Sequence, residues 1–401
     1  MKQKKLMLLG GLRYLLPVIN VAHKLGYYVI TCDYLPDNTA HKYSDEYCNV
    51  SIIDKDAVLA VAQEKQIDGI MSFAVDPGVV TAAYVAEQMG LPFQGSYKSV
   101  SILQDKSKFR QFLSDNNFNV PNAKGYTNLN DALSDVDYFN WPVIVKPVDS
   151  AGSKGVSRVD SPDNLAQAIK YALSETHNGH FIIEDFLEKE GNTSDSDCFT
   201  IDGKLKFCSF SDQRFDVNAS NPYTPSAFSW PSTIPQWAQD ELKNELQRLM
   251  DLLEMKTGIY NIETRLCKNG KPYIMEVSPR GGGNRLSEML NYSTHTNIIE
   301  FAVKAAMGEN IVDLTKPNYQ GYLAEIILHS DKKGIFNSIE VSEIQKQHIM
   351  ETDLWVEKGD LVESFDGANH AIGTLVVKFN SLDELNSAMN NIKTWCNVIV
   401  E

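Results

Sequence analysis

Two glutamates, Glu263 and Glu276, lie on either side of a predicted hairpin turn at Asn269-Gly270. That dipeptide favours a two-residue type I′ loop, and a loop of those two residues places Glu263 directly opposite Glu276. Like charges at directly paired positions disfavour a sheet, whereas a divalent cation between them reverses the penalty. Carboxylate ligands suit magnesium, which keeps its other positions for water and phosphate. The spacing therefore predicts a magnesium site, with a solvated face that carries incidental acids as the alternative.

The same register predicts one polar and one apolar face of the hairpin, because side chains alternate along a strand. The polar face is expected to carry Asn261, Glu263, Arg265, Ile274, Glu276 and Ser278. The other face is expected to pack into the core through Tyr260, Ile262, Thr264, Leu266, Tyr273, Met275 and Val277. One side of the hairpin is therefore expected to be buried and the other to be polar and acidic.

A run of small residues follows a short apolar strand that ends at Lys146. Small residues let backbone N–H groups approach phosphate oxygens, and lysines add positive charge. The candidates for phosphate binding are Lys146, Ser150, Gly152, Ser153, Lys154 and Gly155. The Walker A pattern is absent, and a hairpin loop rich in glycine and serine is the alternative interpretation.

A second apolar strand ends at Glu184 and is followed by Phe186 and Leu187. Apolar side chains and free backbone groups at a strand exit can hold a flat base such as adenine, whose amino group Glu184 could bind. A plain edge strand would have the same sequence pattern. Upstream, Lys106 lies within a charged helix expected over residues 99–116, where a solvated lysine is the default.

The first 90 residues alternate apolar strands, at 5–10, 27–32 and 69–73, with helical patterns at 14–25 and 79–89. This alternation predicts an α/β fold with a parallel sheet and helices on both faces. Ligands bind such sheets beyond the carboxyl ends of the strands, where the chain has Gly10, Gly11, Arg13, Asp33, Ser72 and Asp76. A nicotinamide dinucleotide site is the alternative there, although the GxGxxG spacing is missing.

Composition narrows the class of protein. A length of 401 residues predicts two or three domains. The formal net charge of -15 disfavours nucleic-acid and membrane partners. The apolar run near the N-terminus is too short for a signal peptide, and six scattered cysteines support neither zinc nor disulfides. We therefore expect a cytoplasmic protein.

In order and spacing these elements resemble the ATP-grasp superfamily over essentially the whole chain. The matching elements are Lys106, Lys146 with its Gly/Ser loop, the Glu184 segment, Glu263, Glu276 and Pro279-Arg280. The resemblance implies an N-terminal α/β domain over residues 1–98 and an ATP-grasp fold of two α+β subdomains over 99–315. It also implies a lid-like subdomain at about 122–190 and a small C-terminal α+β domain over 316–401.

Roles for individual residues follow from the resemblance alone. ATP would be bound by Lys106, Lys146, Ser150, Gly152, Ser153, Gly155, Glu184, Asp185, Phe186 and Leu187. Magnesium, or manganese, would be held by Glu263, Glu276 and Ser278, with Ser278 standing where the family often has Asn. Catalytic contacts would come from Arg280 and Lys154, and substrate contacts from Gly11, Arg13, Arg265, Gly282 and Gly283. The ribose acid of the family falls on Thr193, which leaves Glu188, Glu190 and Asp197 as substitutes.

The resemblance also implies a reaction, in which a carboxylate takes the γ-phosphate of ATP and an amine then displaces phosphate to form an amide. The Pro-Arg-Gly-Gly-Gly run is similar to that of ligases that join amino acids. Purine-pathway and carbamoyl-phosphate-type enzymes are alternatives, as are a non-catalytic ATP-binding protein and a nicotinamide-dependent dehydrogenase. The expected partners are small-molecule carboxylates and amines, with a homodimer possible. The segment 211–235 is either a cover for the site or a connector.

Overall fold

The computed structural model describes residues 3–150 and 154–401. Its N-terminal elements are β1 (Lys5–Leu9), α1 (Leu16–Lys24), β2 (Tyr28–Asp33), β3 (Glu46–Asn49), α2 (Lys55–Lys65), β4 (Gly69–Ser72) and α3 (Asp76–Met89). The four strands form a parallel sheet in the order β3-β2-β1-β4. Leu6 and Leu8 of β1 enter one apolar cluster, whereas Met7 and Leu9 enter another. Both faces of the sheet are therefore covered, as the sequence pattern predicts.

The single helix expected over residues 99–116 is wrong, because the chain forms α4 (Tyr97–Gln104) and α5 (Lys106–Asp115). Asp105 separates them in an extended conformation and caps α5, accepting hydrogen bonds from the amides of Ser107 and Lys108. Lys106 is consequently the first residue of a helix rather than an interior one. This places its side chain at a helix end that faces the rest of the site.

A small antiparallel sheet follows, in the order β5-β8-β6-β7. Its elements are β5 (Ala123–Tyr126), α6 (Leu129–Ser134), β6 (Val143–Pro147), β7 (Ser157–Val159), α7 (Leu165–Ser174) and β8 (Phe181–Asp185). Apolar residues of α6 and α7 pack on one face of the sheet. Lys146 and Glu184 belong to the neighbouring strands β6 and β8, which brings these two site candidates side by side.

The next segment carries the hairpin. Its elements are β9 (Ser194–Ile201), β10 (Lys204–Cys208), β11 (Asp212–Phe215), β12 (Pro225–Trp230), α8 (Gln236–Leu252), β13 (Gly258–Leu266), β14 (Pro272–Ser278), α9 (Leu286–Thr294) and α10 (Ile298–Ala306). An antiparallel sheet in the order β10-β9-β13-β14 packs against α8. Helix α10 packs against α1, so this segment also closes one face of the N-terminal sheet.

The C-terminal elements are β15 (Tyr322–Leu328), β16 (Gly334–Val341), α11 (Glu343–Lys346), β17 (Ile349–Leu354), β18 (Leu361–Val362), β19 (Gly373–Phe379), α12 (Leu382–Met389), α13 (Ile392–Trp395) and β20 (Cys396–Val400). Three of these strands complete a sheet in the order β11-β12-β15-β19-β17. The segment 211–235 therefore contributes two strands, β11 and β12, to this sheet. One sheet joins strands from both sides of the boundary expected at residue 316.

All six cysteines are buried free thiols. Within the described ranges, no helix combines the length and the apolar character needed to cross a membrane.

Candidate active site

Glu263 and Glu276 lie directly opposite each other on β13 and β14, so the predicted pairing is confirmed. The predicted turn is wrong. Gly270 donates to the carbonyl of Cys267 at 2.8 Å and has a φ of 75°, whereas Asn269 is not in the left-handed region. The loop therefore has three residues with a left-handed glycine at its end, a common alternative to the type I′ turn.

A bulge at Met275 explains how the pairing survives the longer turn. Glu263 pairs with Glu276, but the next residue, Thr264, pairs with Ile274, which leaves Met275 as the extra residue. Because of the bulge, three residues lie on the face opposite to the one predicted. Ile274 packs into the core, whereas Met275 and its neighbour Tyr273 pack on the opposite side of the sheet.

A third acid, Asp195, extends the pair into a row across three strands, because β9 places it opposite Glu263. Asn261 donates to Asp195 at 2.7 Å. Burial, and then the negative charge of Glu263, raise the pKa of Asp195 to about 8. The sequence interpretation missed this residue, although Asp195 and Asp197 alternate along β9 as residues of one strand face do.

Lys106 joins this acid row to the Gly/Ser loop. Its Nζ donates to the carbonyl of Ser150 at 3.1 Å and lies 3.6 Å from Oε2 of Glu276. The Ser150 hydroxyl donates to the carbonyl of Glu175 and so turns away from the acids. The Lys106 ammonium group therefore contacts both the backbone of the Gly/Ser loop and the Glu276 carboxylate.

The remaining loop candidates differ in position. Lys154 is exposed, and Gly155 is buried with a φ of 71°. A side chain on Gly155 would approach Cγ of Pro147 to 2.7 Å, so this position requires glycine. Gly152 and Ser153 lie outside the described residues.

Glu184 is buried and has two cationic partners. Its Oε2 accepts from Nε of Arg110 at 2.9 Å, and its Oε1 accepts from Nζ of Lys146. Burial alone would raise the pKa of Glu184, but Arg110 and Lys146 lower it to about 2. Arg110 also donates to the Met275 carbonyl at 2.8 Å, so it supports the bulge as well. The two cations each bind one oxygen of this carboxylate, and the expected bond from Glu184 to an adenine amino group stays a prediction.

The other three residues of the adenine segment, Asp185, Phe186 and Leu187, have different surroundings. Asp185 accepts hydrogen bonds from Asn122 and Asn140, so its side chain holds neighbouring loops together. Phe186 packs under the Arg158 guanidinium, 4.5 Å from the ring centroid. Leu187 packs instead against an apolar cluster on the acid side of the hairpin. That cluster comprises Cys267, Tyr273 and Met275.

Ser278 does not fit the predicted role of a metal ligand. It is 1% exposed, its hydroxyl donates to Asp76 at 2.6 Å, and it accepts from Gln104. Arg280 binds the same carboxylate, with Nε 2.8 Å from Oδ1 and Nη2 2.6 Å from Oδ2. Burial would raise the pKa of Asp76, but Arg280 lowers it. Asp76 thus holds the Arg280 guanidinium in a two-pronged ion pair, and the expected contact of Arg280 with phosphate or substrate stays a prediction.

The glycine run after Arg280 is packed tightly. The Gly282 amide donates to Oδ1 of Asp197 at 2.8 Å, and a Cβ on Gly282 would lie 2.7 Å from Nδ2 of Asn261. Gly283 has more room, with Cβ of Ala74 at 4.0 Å. Asp197 is fully buried, which excludes it as an accessible ribose acid; burial raises its pKa to about 6 against the opposing hydrogen bonds.

The other substrate candidates are dispersed. Arg265 stays with the acid row, 3.2 Å from Glu263. Gly11 is buried under His41, and Arg13 is exposed and stacks over Trp355 at 5.4 Å. Thr193 is buried and donates to Gln213. The structure therefore brings together Lys106, Lys146, the acids and Leu187, whereas no contact joins Lys154, Arg13 or Thr193 to them among the described residues.

Residues 139–288 match the family model of the ATP-grasp domain. The formate-dependent phosphoribosylglycinamide formyltransferase of Synechococcus sp. strain WH7803 is 25% identical over 314 residues, with 76% of each chain covered. The carbamoyl phosphate synthase large chain of Thermotoga petrophila is 22% identical over 291 residues, which cover 72% of this chain and 26% of that one.

Among solved structures, the L-amino acid ligase of Bacillus licheniformis superposes with a TM-score of 0.80 at 20% identity, with both chains covered completely. This likeness shows the fold. The family match covers the Gly/Ser loop, the Glu184 segment and the acid hairpin. Residues 139–288 therefore match an ATP-grasp domain, and the whole chain has the fold of ATP-dependent ligases.

Proposed function

We propose that the protein uses ATP and magnesium to activate a carboxylate as an acyl phosphate and to join it to an amine. The observation that carries this proposal is the opposition of Glu263 and Glu276 with Lys106 beside them. ADP and phosphate would be the other products. The carboxylate and the amine would be small molecules.

The acid pair has the chemistry that a magnesium ion requires. The side chains of Glu263 and Glu276 are 33% and 37% exposed, so an ion and its water ligands can reach both. Without a cation, directly opposed carboxylates repel each other. Magnesium bound there would offset the charge of the β- and γ-phosphates.

Adenine fits the apolar cluster of Leu187, Tyr273 and Met275, which lies on the acid side of the hairpin. The Leu187 amide makes no hydrogen bond to any residue that the structure describes, so it is available to a ring nitrogen. The base would lie there while the phosphates extend toward Lys106. Leu187 would thus bind adenine through its backbone.

In the first step, a carboxylate oxygen of the substrate attacks the γ-phosphorus, the bond to the β-phosphate oxygen breaks, and ADP leaves. In the second, the amine nitrogen attacks the acyl carbon, loses a proton and expels phosphate. Lys106 supplies positive charge to the phosphates in both steps. Lys146 lies beside it but is oriented by Glu184, and Arg280 positions the end of β14 through Asp76.

Purine-pathway and carbamoyl-phosphate-type chemistry are the second candidates, because relatives with those names match most of this chain. The N-terminal glycines give a nicotinamide site no support. A Cβ at Gly11 would lie 2.5 Å from Nε2 of His41, so the backbone there is covered by side chains.

We also propose the boundaries 1–98, 99–315 and 316–401 for the three domains, with a lid-like part at about 122–190. The free thiols fit a reducing compartment such as the cytoplasm. A homodimer remains part of the proposal.

The test is magnesium-dependent ADP release from purified protein supplied with pools of amino acids and other carboxylates. We expect Glu276→Ala to lose at least about 100-fold in rate while its unfolding transition stays that of the wild type. Glu241→Ala, which changes an exposed acid on α8, is the matched control and should retain full activity. Unchanged turnover in Glu276→Ala would contradict the proposed site.

A further inference from the structure

Four carboxyl groups lie close together around helix α9, which follows the glycine run in the chain. They come from α9, β15 and β17, and the N-terminal segment covers them through Tyr14. We call this cluster the acid pocket; its members are Glu288, Glu325, Glu351 and Asp353. The pocket lies where the N-terminal, middle and C-terminal parts of the chain meet.

Glu325 is the member that indicates a ligand. It is 0% exposed, and neither of its carboxylate oxygens has a hydrogen-bond partner within the described part of the chain. A buried carboxylate without a partner is costly, so proteins pair it or keep it protonated. Burial accordingly raises the pKa of Glu325 well above its ordinary value. The group has unused hydrogen-bonding capacity at a site that costs stability to maintain.

The strand register shows that Glu325 faces into the pocket. Glu325 and Glu351 both pair with Val376, one from each side of β19, so the two side chains project from the same sheet face. Their backbones are two strand spacings apart, about 10 Å. Helix α9 packs on that face and brings Glu288 over it.

Arg285 contacts the acid pocket but does not bind all of its carboxyl groups. The Arg285 guanidinium lies 2.6 Å from Glu351 and 3.3 Å from Glu288, and it donates to Thr374 at 2.8 Å. These contacts leave Glu325 without a partner. Arg285 therefore pairs with two of the four carboxyl groups, and a second guanidinium, that of Arg13, stacks on Trp355 at 5.4 Å without an ion pair to any of the four among the described residues. A bound ammonium group would give Glu325 the partner that it lacks.

Aromatic rings complete the surroundings. Tyr14 and Trp355 meet edge to face with centroids 6.3 Å apart, and the Tyr292 hydroxyl donates to Glu351. Aromatic faces and carboxylates together favour an organic cation over an anion. An ammonium group also has three donors, which match several carboxylate oxygens.

We propose that the acid pocket binds the ammonium group of an amino-acid or amine substrate of the ligase. The proposal rests on the proposed function, since it supplies the substrate class for the same site. The glycine run connects the pocket directly to β14 and Glu276. A substrate anchored by its ammonium group at Glu325 would thus extend toward the end of the site that carries the phosphates.

The test is calorimetric titration of the full-length protein, loaded with magnesium and ADP, with each proteinogenic L-amino acid and with its α-hydroxy counterpart. We expect at least one amino acid to bind and its hydroxy counterpart to bind at least about tenfold more weakly. Glu325→Gln and Glu351→Gln should each weaken amino-acid binding about tenfold or more and leave the affinity for ADP unchanged. Glu340→Gln, an exposed acid on β16, is the control and should bind as the wild type does.

Glu288→Gln, whose side chain is 27% exposed, provides a second variant in case Glu325→Gln does not fold. Equal binding of amino and hydroxy acids, an absence of amino-acid binding, or wild-type affinity in the folded variants would overturn the proposal. A protein that binds amino acids but neither ADP nor ATP would instead contradict the proposed function. The two failures are therefore distinguishable.

Discussion

The carboxylate of Glu184 and those of Glu263 and Glu276 lie on neighbouring sheets of one site, yet their surroundings are opposite. Glu184 is 3% exposed and shares its oxygens between Arg110 and Lys146. The hairpin acids are about one-third exposed and oppose each other, with partial contacts to lysine or arginine. A carboxylate with two buried cationic partners maintains structure, whereas one that is partly exposed and faces a like charge can bind an ion.

Replacing one acid from each region gives the largest expected contrast. Glu184→Gln should lower the free energy of unfolding by about 3 kcal/mol, because Arg110 and Lys146 would remain buried without a counter-charge. Glu263→Gln should change it by less than about 1 kcal/mol, since it relieves repulsion from Glu276. Urea unfolding monitored by tryptophan fluorescence measures both. Equal losses in the two variants would show that the regions do not differ in this way.

The pH dependence of the free energy of unfolding gives a smaller expected effect, which comes from the Glu184 region. The pKa of Glu184 is lowered in the folded protein to about 2, so its stabilising contribution is complete above the ordinary glutamate pKa and is lost as pH falls toward 2. Between pH 4.5 and 3 the wild type should lose about 1.5 kcal/mol more than Glu184→Gln does. Unfolding free energies of both proteins across this range supply the comparison. Parallel curves would mean that the ion pair does not form.

Ser278 tests how far the ion-binding region extends. Ser278→Ala should leave the magnesium concentration for half-maximal ADP release unchanged, because the hydroxyl is occupied by Asp76 and Gln104. Glu263→Gln should raise that concentration about tenfold, a difference of about 1.4 kcal/mol in binding. A tenfold increase in Ser278→Ala would restore the serine to the metal site.

The sequence was sufficient for the ATP-grasp domain, the fold class and the class of enzyme, an ATP-dependent ligase, because these depend on local patterns and on their order and spacing along the chain. The alternation of strands and helices and the opposition of Glu263 and Glu276 are of this kind. The bulge at Met275 is different, since it depends on Arg110 from a distant helix. The two-residue turn was predicted wrongly, yet the acid pairing was right, because the longer turn and the bulge offset each other.

Residues held by contacts between segments were the ones that local patterns misjudged. Ser278 ends the expected strand and Arg280 follows it, but Asp76 comes from the N-terminal part and binds both. Asp195 was missed because its importance depends on which strand lies beside β13. Local sequence patterns therefore predict where a site residue lies better than they predict which residues it contacts.

The pairing of β12 with β15 has a practical consequence for work with this protein. A fragment that stops near residue 315 would leave one long edge of β12 without its hydrogen-bonding neighbour, from Ala227 to Trp230. Exposed edges of this kind promote association between copies. Sedimentation of such a fragment would reveal aggregates, so expression vectors for crystallography and binding assays should encode the middle and C-terminal segments as one uninterrupted polypeptide.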